Sequence, residues 1–296
     1  MLLTCLPAAA APPRQRGDLR NALRSQYTPE YLALRERVAA ALAGRRPGRF
    51  GEFVKGEVNG LRTAQKVMAL TFDACGGRHS GYNAKLIEYL RRENIPATLF
   101  ISGHWADKNP AAFARLARDP LFEIENHGLM HRVPSSDGRT KYGLPATRDI
   151  YETIDEMELN ARKLAALAGR RPKFYRPAAA YTDDLSVAAA RALGIRVVTY
   201  SLLSGDSIPG TPAKVIAANL LGQARPGAVV IMHFNHPGWN ETAALKAAVP
   251  RLRKAGWRFV HLQALPQRFI GSPAAAPGVD FRPPVWDNNS RVGRPR

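Results

Sequence analysis

From about residue 61, the sequence alternates between short apolar runs typical of buried strands and amphipathic segments typical of helices. Strand patterns occur in seven places, at 67–72, 97–101, 122–125, 174–175, 195–202, 228–232 and 257–262. Helical patterns separate them at 81–94, 110–118, 148–168, 184–193, 211–223 and 241–255. Strands that alternate with helices form parallel sheets. The number and continuity of these units predict an α/β fold, a distorted (β/α) barrel of about seven parallel strands.

The other segments divide the chain into four parts. Residues 1–25 contain a short apolar, Ala-rich stretch that is similar to the late part of a secretory leader, with a floppy N-terminus as the alternative. Residues 26–60 are predicted to be a helical extension that begins after the N-cap Thr28. Residues 61–270 form the barrel domain, and residues 271–296 form a Pro-rich tail. The leader favours an extracytoplasmic location, periplasmic or secreted, and leaves a cytoplasmic one open.

The composition excludes several classes of protein. With 296 residues, 45% of them apolar, the chain can bury a substantial core, which excludes general disorder. Its two cysteines, Cys5 and Cys75, cannot form a disulfide framework, and no apolar run approaches the ~20 residues that span a bilayer. The net charge of +19 is spread as +5, +12 and +2 over residues 1–60, 61–270 and 271–296. This charge suits an acidic cell-surface polymer, whereas no basic tail indicates a nucleic-acid partner.

Polar side chains follow five of the predicted strands, at the carboxyl ends where barrel enzymes hold their active sites. In chain order, these residues are Asp73, His127 with His131, Arg176, Asp206 and His233. Each has an ordinary interpretation when taken alone, as a helix-capping carboxylate, a surface imidazole or a solvated charge. Because the strands place these residues together at one end of the predicted barrel, the pattern predicts a catalytic site.

The residue types suit metal-assisted acid–base chemistry. The four-residue spacing of His127 and His131 predicts that both imidazoles lie on one face of a helical turn and share a metal ion. His233 is a candidate proton donor or acceptor, which Asp206 would orient and charge. Arg176 would hold a nearby carboxylate in its ionised form.

The order of these motifs resembles the polysaccharide deacetylase family, the NodB-homology domain of carbohydrate esterase family 4. The resemblance covers about residues 64–265 and rests on Thr71-Phe72-Asp73, Asn126-His127-Gly128-Leu129-Met130-His131, Arg176-Pro177, Asp206 and Ile231-Met232-His233. It implies a distorted (β/α) barrel and the metal-dependent removal of acetyl groups from an acetylated polysaccharide such as peptidoglycan, chitin-like chains or xylan.

The resemblance also implies a role for each matching residue. Asp73 matches the catalytic base and His233 the catalytic acid. Arg176 matches the arginine that tunes the base, and Asp206 matches the aspartate that supports the acid. The two histidines of the Asn126–His131 segment match metal ligands, and the implied ion is divalent, with zinc expected and cobalt or nickel as alternatives.

The metal site departs from the family pattern at one position. The family has a second aspartate directly after the base, and this chain has Ala74 there, within a Thr-Phe-Asp-Ala-Cys-Gly-Gly sequence that indicates a divergent branch. We expect Asp73 to complete the site with His127 and His131, as a ligand or as both ligand and base. The alternatives are a third bond from Cys75, Asn126 or His79, or a site that is weak or empty.

Further departures affect the substrate more than the reaction. Ala178, Ala179 and Ala180 precede Tyr181 where the family has an aromatic residue soon after the arginine, and Ser207 stands where an aromatic residue usually follows the supporting aspartate. Asp183 and Asp184 are alternative bases, although Asp183 is better explained as a helix cap.

The expected function is therefore metal-dependent hydrolysis of a C–N bond that releases acetyl groups from a polysaccharide, such as a cell-wall glycan. Two alternatives stay open at this point. One is an amidohydrolase that acts on a small amide, and the other is a glycan-binding barrel that lost its metal with Ala74. Metal content and acetate release distinguish the three.

Overall fold

The computed structural model describes residues 26–77 and 80–271. The helices are α1 (Pro29–Ala40), α2 (Ala84–Arg92), α3 (Gly103–Lys108), α4 (Pro110–Arg118), α5 (Ile150–Ala168), α6 (Asp184–Ala192), α7 (Ala213–Gly222) and α8 (Glu241–Lys254). The strands are β1 (Phe50–Gly51), β2 (Val58–Leu61), β3 (Val67–Ala74), β4 (Ala97–Ile101), β5 (Phe122–Asn126), β6 (Phe174–Tyr175), β7 (Thr182–Asp183), β8 (Arg196–Val197), β9 (Leu202–Leu203), β10 (Ala228–His233), β11 (Arg258–Phe259) and β12 (Gln267–Phe269). Short 3₁₀ turns cover Ala178–Ala180 and Leu262–Ala264. The expected leader (1–25), His79 and residues 272–296 of the expected tail lie outside the described residues.

The main sheet is a curled, mostly parallel sheet that confirms the predicted fold class. Strands β10, β3, β4, β5, β6 and β8 pair side by side in parallel. The chain then leaves β8 and returns through β9 to pair with β10, which brings the sheet back onto itself. Strands β2 and β12 add an antiparallel edge beside β10. In the part of the chain that the structure describes, no helix combines the length and apolarity that crossing a bilayer requires.

Alternation along β3 separates two apolar layers. Phe72 and Ala74 pack in the large cluster between the sheet and the helices. Ala69 belongs instead to the cluster inside the barrel, with Phe100 and Val229. Because successive side chains of a strand point to opposite faces, Asp73 is directed to the interior side of the sheet.

The predicted strand at 195–202 is wrong as a continuous element. It is divided into β8 and β9, and the residues between them change partners: Val198 bridges Val58, while the amide of Ser201 donates to the carbonyl of Val229. Bringing the sheet back onto itself requires this change of partner, so the chain bends where the sequence alone favours a straight strand. Helix α3 and strands β1, β2, β7 and β12 are further elements that the pattern does not predict.

The segment before the barrel begins as predicted. The Thr28 side chain accepts a hydrogen bond from the amide of Tyr31 at 3.3 Å, and Pro29 is the first residue of α1. The segment is not helical throughout, however, because β1 and β2 follow and β2 joins the main sheet. The four-part division of the chain stays a prediction.

Candidate active site

The residues that follow the predicted strands meet at one rim of the sheet. Asp73 near the end of β3 and His233 at the end of β10 are register partners in adjacent parallel strands. His127 directly follows β5, Arg176 directly follows β6, and Asp206 follows β9 closely. Parallel strands deliver their carboxyl ends to one edge, and the order of the strands in the sheet accounts for this meeting of side chains.

Asp73 forms a buried ion pair with Arg176. The guanidinium Nη1 donates to Oδ1 of Asp73 at 2.8 Å, and Nη2 donates to the carbonyl of Thr199 at 3.1 Å. The guanidinium carbon also lies 4.2 Å from the ring centroid of Phe100. A buried carboxylate needs a fixed opposite charge, and Arg176, which has no exposed surface, supplies it. Oδ2, the second carboxylate oxygen of Asp73, lies 3.9 Å from Nε2 of His127.

His233 is paired with Asp206 through both its ring and its backbone. Nδ1 of His233 lies 3.3 Å from each carboxylate oxygen, and its amide donates to Oδ2 at 2.6 Å. The hydroxyl of Ser204 donates to Oδ1 at 2.7 Å and fixes the carboxylate further. Burial lowers the pKa of His233, but the charge and hydrogen bond of Asp206, with a contribution from Cys75, outweigh burial and raise the pKa well above its usual value. This pair therefore favours an imidazolium, a proton donor.

A group of three metal-ligand side chains lies beside the Asp73 carboxylate. Ligand atoms of Cys75, His127 and His131 all lie within 4.8 Å of one another. The Cys75 sulfur is 3.6 Å from Nε2 of His127, and Oδ2 of Asp73 is 3.9 Å from the same nitrogen. Thiolate sulfur and neutral imidazole nitrogen are the donors that zinc prefers, so the residues present fit a divalent ion of that type.

The tautomer of His127 is fixed by the backbone. Nδ1 lies 2.8 Å from the carbonyl oxygen of Arg176, and because a carbonyl can only accept, Nδ1 carries the proton. Nε2 is then the nitrogen available to a metal, and it lies 3.6 Å from the Cys75 sulfur. Metal-ligating histidines usually have such a partner on the second ring nitrogen.

The electrostatics of Cys75 also suit a metal ligand. Burial raises the pKa of the thiol, but the charge of His131 and hydrogen bonds with His127, His131 and His233 together hold the pKa well below its usual value. The thiolate, which is the form that binds metals, is thereby favoured.

The segment from His127 to His131 is a loop, so the predicted helical turn is wrong. Gly128 has φ of 83° and His131 has φ of 59°, both in the left-handed region. The loop brings the rings of His127 and His131 together, with their centroids 4.8 Å apart and their planes at 60°. A Cβ at position 128 would collide with the Glu156 carboxylate, so the close approach of helix α5 requires glycine there.

Glu156 of helix α5 holds the histidine loop in this shape. Its buried carboxylate accepts from the amides of Met130 at 3.0 Å and Arg132 at 2.9 Å, and its carbonyl accepts from the amide of Leu129 at 2.9 Å. Burial raises the pKa of Glu156, and these amide bonds partly offset that rise. Nothing in the sequence pattern distinguishes this glutamate from other acidic residues of an amphipathic helix, so its role is visible only in the structure.

Comparison with known proteins gives this part of the chain a family resemblance. A sequence model described as polysaccharide deacetylase matches residues 60–198. Over this stretch the chain is similar to polysaccharide deacetylases. A peptidoglycan-N-acetylglucosamine deacetylase of Bacillus cereus is 26% identical over 203 residues, which cover 68% of this chain and 88% of that protein. The peptidoglycan-N-acetylmuramic acid deacetylase PdaA of Bacillus subtilis is 27% identical over 206 residues, which cover 69% of this chain and 72% of PdaA.

Solved structures of carbohydrate esterase family 4 proteins have a similar fold. A crystal structure of a peptidoglycan N-acetylglucosamine deacetylase matches with a TM-score of 0.60 and 26% identity, over 72% of this chain and 93% of that one. A family 4 pseudoenzyme from Bacillus anthracis has a TM-score of 0.60 at 20% identity, over 72% of this chain and 69% of that one. Since the fold is found with and without activity, function has to be argued from the site.

Asn126 is one alternative for the third metal ligand, but its side chain forms other hydrogen bonds. Its Nδ2 donates to the carbonyl of Met157 at 2.7 Å, and its Oδ1 accepts from the amide of Gly128 and from Nδ2 of Asn160. Asn126 is therefore a support for the histidine loop. Asp73 and Cys75 are the two candidates that the described residues leave.

Asp183, the alternative base, caps helix α6. Its Oδ1 accepts from the amide of Ser186 at 2.7 Å, and its Oδ2 accepts from the amide and hydroxyl of Ser136. The preferred interpretation of Asp183 as a cap is confirmed. Asp184 accepts at Oδ1 from the amide of Gly48 at 2.9 Å.

An aromatic and cationic group lies where Tyr181, just after the Arg176 motif, contacts the loop between β5 and α5. The ammonium of Lys141 is 4.8 Å from the ring centroid of Tyr142 and 5.0 Å from that of Tyr181. The two tyrosine rings lie 6.0 Å apart, and 73% of the surface of Tyr142 is exposed. Exposed rings of this kind give a flat surface on which a large ligand can rest. Tyr181 directly follows the three alanines, and Ala179 and Ala180 have positive φ.

Proposed function

We propose that this protein is a metal-dependent deacetylase that hydrolyses the N-acetyl groups of a polysaccharide. The observation that carries the proposal is the meeting of two carboxylate-containing ionic pairs at one rim. Asp73 is paired with Arg176 at 2.8 Å, and His233 is paired with Asp206 at 3.3 Å. A carboxylate poised to accept a proton and an imidazolium poised to donate one are what amide hydrolysis needs.

The two pairs have distinct tasks in this proposal. Asp73 takes a proton from the attacking water through Oδ2, while Arg176 holds Oδ1 and keeps the carboxylate in place. His233 gives a proton to the departing sugar nitrogen as the C–N bond breaks, which releases acetate and a free amine. Asp206 directs the ring and stabilises its charge.

A divalent ion bound by the nearby histidines would polarise the acetyl carbonyl and lower the pKa of water. His127 and His131 are the proposed histidine ligands, with zinc as the expected ion and cobalt or nickel as alternatives. The fixed tautomer of His127 and the loop held by Glu156 support this assignment.

A polymeric substrate is favoured over a small amide. The exposed ring of Tyr142, stacked against Lys141 and near Tyr181, offers contact surface next to the loop of the Arg176 motif. Relatives are named as deacetylases of peptidoglycan and of chitooligosaccharides. The net charge of +19 suits an anionic wall polymer, and such a substrate implies an extracytoplasmic location.

Acetate release tests the proposal. The purified full chain, loaded with Zn²⁺, Co²⁺ or Ni²⁺ in turn, is incubated with peptidoglycan, N-acetylated chitooligosaccharides and acetylated xylan, and with small acetamides as the comparison. We expect acetate from peptidoglycan or the chitooligosaccharides, its loss after chelation and its recovery when metal returns. Acetate from xylan alone would show ester hydrolysis and contradict the N-acetyl assignment. His233→Ala is the matched inactive control. Acetate from small acetamides alone would favour the amidohydrolase, and no acetate with any polymer or ion would favour the glycan-binding barrel.

A further inference from the structure

We propose that Cys75 is the third protein ligand of the metal, so that a thiolate replaces the family's second aspartate and Asp73 is left to act as the base. The inference rests on the metal dependence of the proposed function and specifies its metal centre. It distinguishes a working variant of the site from one disabled by Ala74.

The first support is the direction of the side chain at position 74. Ala74 is fully buried in the apolar cluster between the sheet and the helices, together with Phe72. A side chain at position 74 therefore extends away from the rim in this backbone. Asp73 and Cys75 flank it, and Cys75, just beyond the end of β3, has its sulfur 3.6 Å from Nε2 of His127.

The second support is that the backbone around Cys75 is fixed. The carbonyl of Ala74 accepts from the amide of Ser102 at 3.1 Å, and the carbonyl of Cys75 accepts from the hydroxyl of Ser102 at 2.9 Å. The amide of Gly76 donates to the hydroxyl of Ser80 at 3.1 Å, and Gly76 has φ of 89°, which suits glycine. The sulfur is thus held beside the imidazoles by bonds on both sides of it.

The third support is that one oxygen of Asp73 is already in an ion pair, whereas the sulfur of Cys75 lies among the histidine nitrogens. Asp73 already uses Oδ1 in its ion pair with Arg176, and the three-residue group within 4.8 Å contains Cys75 in place of Asp73. Three protein ligands are typical of catalytic zinc sites and leave a coordination position open. Assigning the bond to Cys75 gives three ligands and keeps an unbound carboxylate nearby, whereas assigning it to Asp73 would require one carboxylate, already paired with Arg176, to serve as both ligand and base.

The ligand type predicts metal selectivity. Thiolate and imidazole donors select Zn²⁺ and other late transition metals, whereas carboxylate donors also suit Mn²⁺ and Mg²⁺. This site should therefore discriminate against Mn²⁺ and Mg²⁺.

Cobalt spectroscopy tests the inference without reference to catalysis. The metal-free full chain is titrated with Co²⁺ under reducing conditions while the near-ultraviolet absorption is recorded. We expect a thiolate-to-cobalt charge-transfer band that saturates at one Co²⁺ per chain. Cys5, the other cysteine of the chain, gives the matched control: Cys5→Ser keeps the band, and Cys75→Ser loses it.

Calorimetry in parallel gives the affinity. Removing a residue that hydrogen-bonds to a metal ligand typically weakens metal binding by about 10–100-fold. Cys75→Ser removes a proposed ligand itself, so we expect it to weaken Co²⁺ binding by more than this. Cys75→Asp should bind Co²⁺ without the band and bind Mn²⁺ more tightly than the unsubstituted chain, and circular dichroism verifies that both variants are folded.

Stoichiometric Co²⁺ binding without a charge-transfer band in the unsubstituted chain would overturn the inference. A band that persists in Cys75→Ser and disappears in Cys5→Ser would overturn it as well. Neither outcome bears on acetate release, so failure of this inference and failure of the proposed deacetylase activity are separate results.

Discussion

The two halves of the rim are built in different ways. In the acid–base half, Asp73 and His233 stand on adjacent strands and each is held by one direct ionic partner. In the metal half, His131 is carried by a loop whose shape depends on Glu156, a residue of a distant helix. The first half is therefore fixed by sheet geometry, and the second by a buried tertiary contact. The missing second aspartate, at Ala74 of β3, belongs to the metal half.

We expect the largest loss of activity from a substitution in the metal half. His131→Ala deletes a proposed ligand, and we expect it to abolish acetate release and to lower metal occupancy, measured by elemental analysis of the purified protein. His261→Ala is the control, because His261 contacts the carbonyl of Leu121 outside this site. Full turnover by His131→Ala would refute the metal half altogether.

Asp73→Asn tests whether the two halves are separate. Loss of a general base typically costs about 10²–10⁴-fold in rate, and we expect a fall of that order in kcat with metal content unchanged. Asparagine keeps an oxygen to accept from Arg176, so the fold should persist. If the variant also loses its metal, Asp73 is a ligand and the two halves share a residue.

Asp206→Asn examines the support of the acid. The amide oxygen can still accept from the backbone of His233, but the charge that favours the imidazolium is gone. We expect kcat to fall by less than the about 10²–10⁴-fold expected for His233→Ala, at unchanged metal affinity. Steady-state rates of both variants beside metal titrations provide the measurement. A loss of metal in Asp206→Asn would contradict the separation of the halves.

Glu156→Gln should have the smallest effect and should be confined to the metal half. Glutamine retains one acceptor for the amides of Met130 and Arg132 but weakens the hold on the loop. We expect metal affinity to fall by about 10–100-fold, with kcat near that of the unsubstituted enzyme once metal is saturating. An unchanged affinity would show that the loop keeps its shape without this carboxylate.

The same contrast explains what the sequence can predict. Strand patterns located β3, β5, β6 and β10, and with them Asp73, Arg176 and His233, because hydrophobic alternation and parallel topology are local signals. The conformation around His131 could not be read in this way. The i, i+4 spacing favours a helix, while Gly128 and the carboxylate of Glu156 impose a left-handed turn through a contact between distant parts of the chain.

The third metal ligand could not be fixed from the sequence for a related reason. The sequence favours Asp73 for the third bond and leaves Cys75 as an alternative. Only the three-dimensional arrangement separates them, since Arg176 occupies one oxygen of Asp73 and the sulfur of Cys75 approaches His127. The assignment of either as ligand stays a prediction until metal is measured.

Arg176 touches both halves, but with different atoms. Its guanidinium reaches Asp73, while its main-chain oxygen accepts from Nδ1 of His127. Replacing the side chain therefore leaves the imidazole contact intact, since every amino acid supplies the same carbonyl. A single position thus links proton transfer to ion binding through the peptide unit, and a mutational scan of that position would reveal only one of its two contributions.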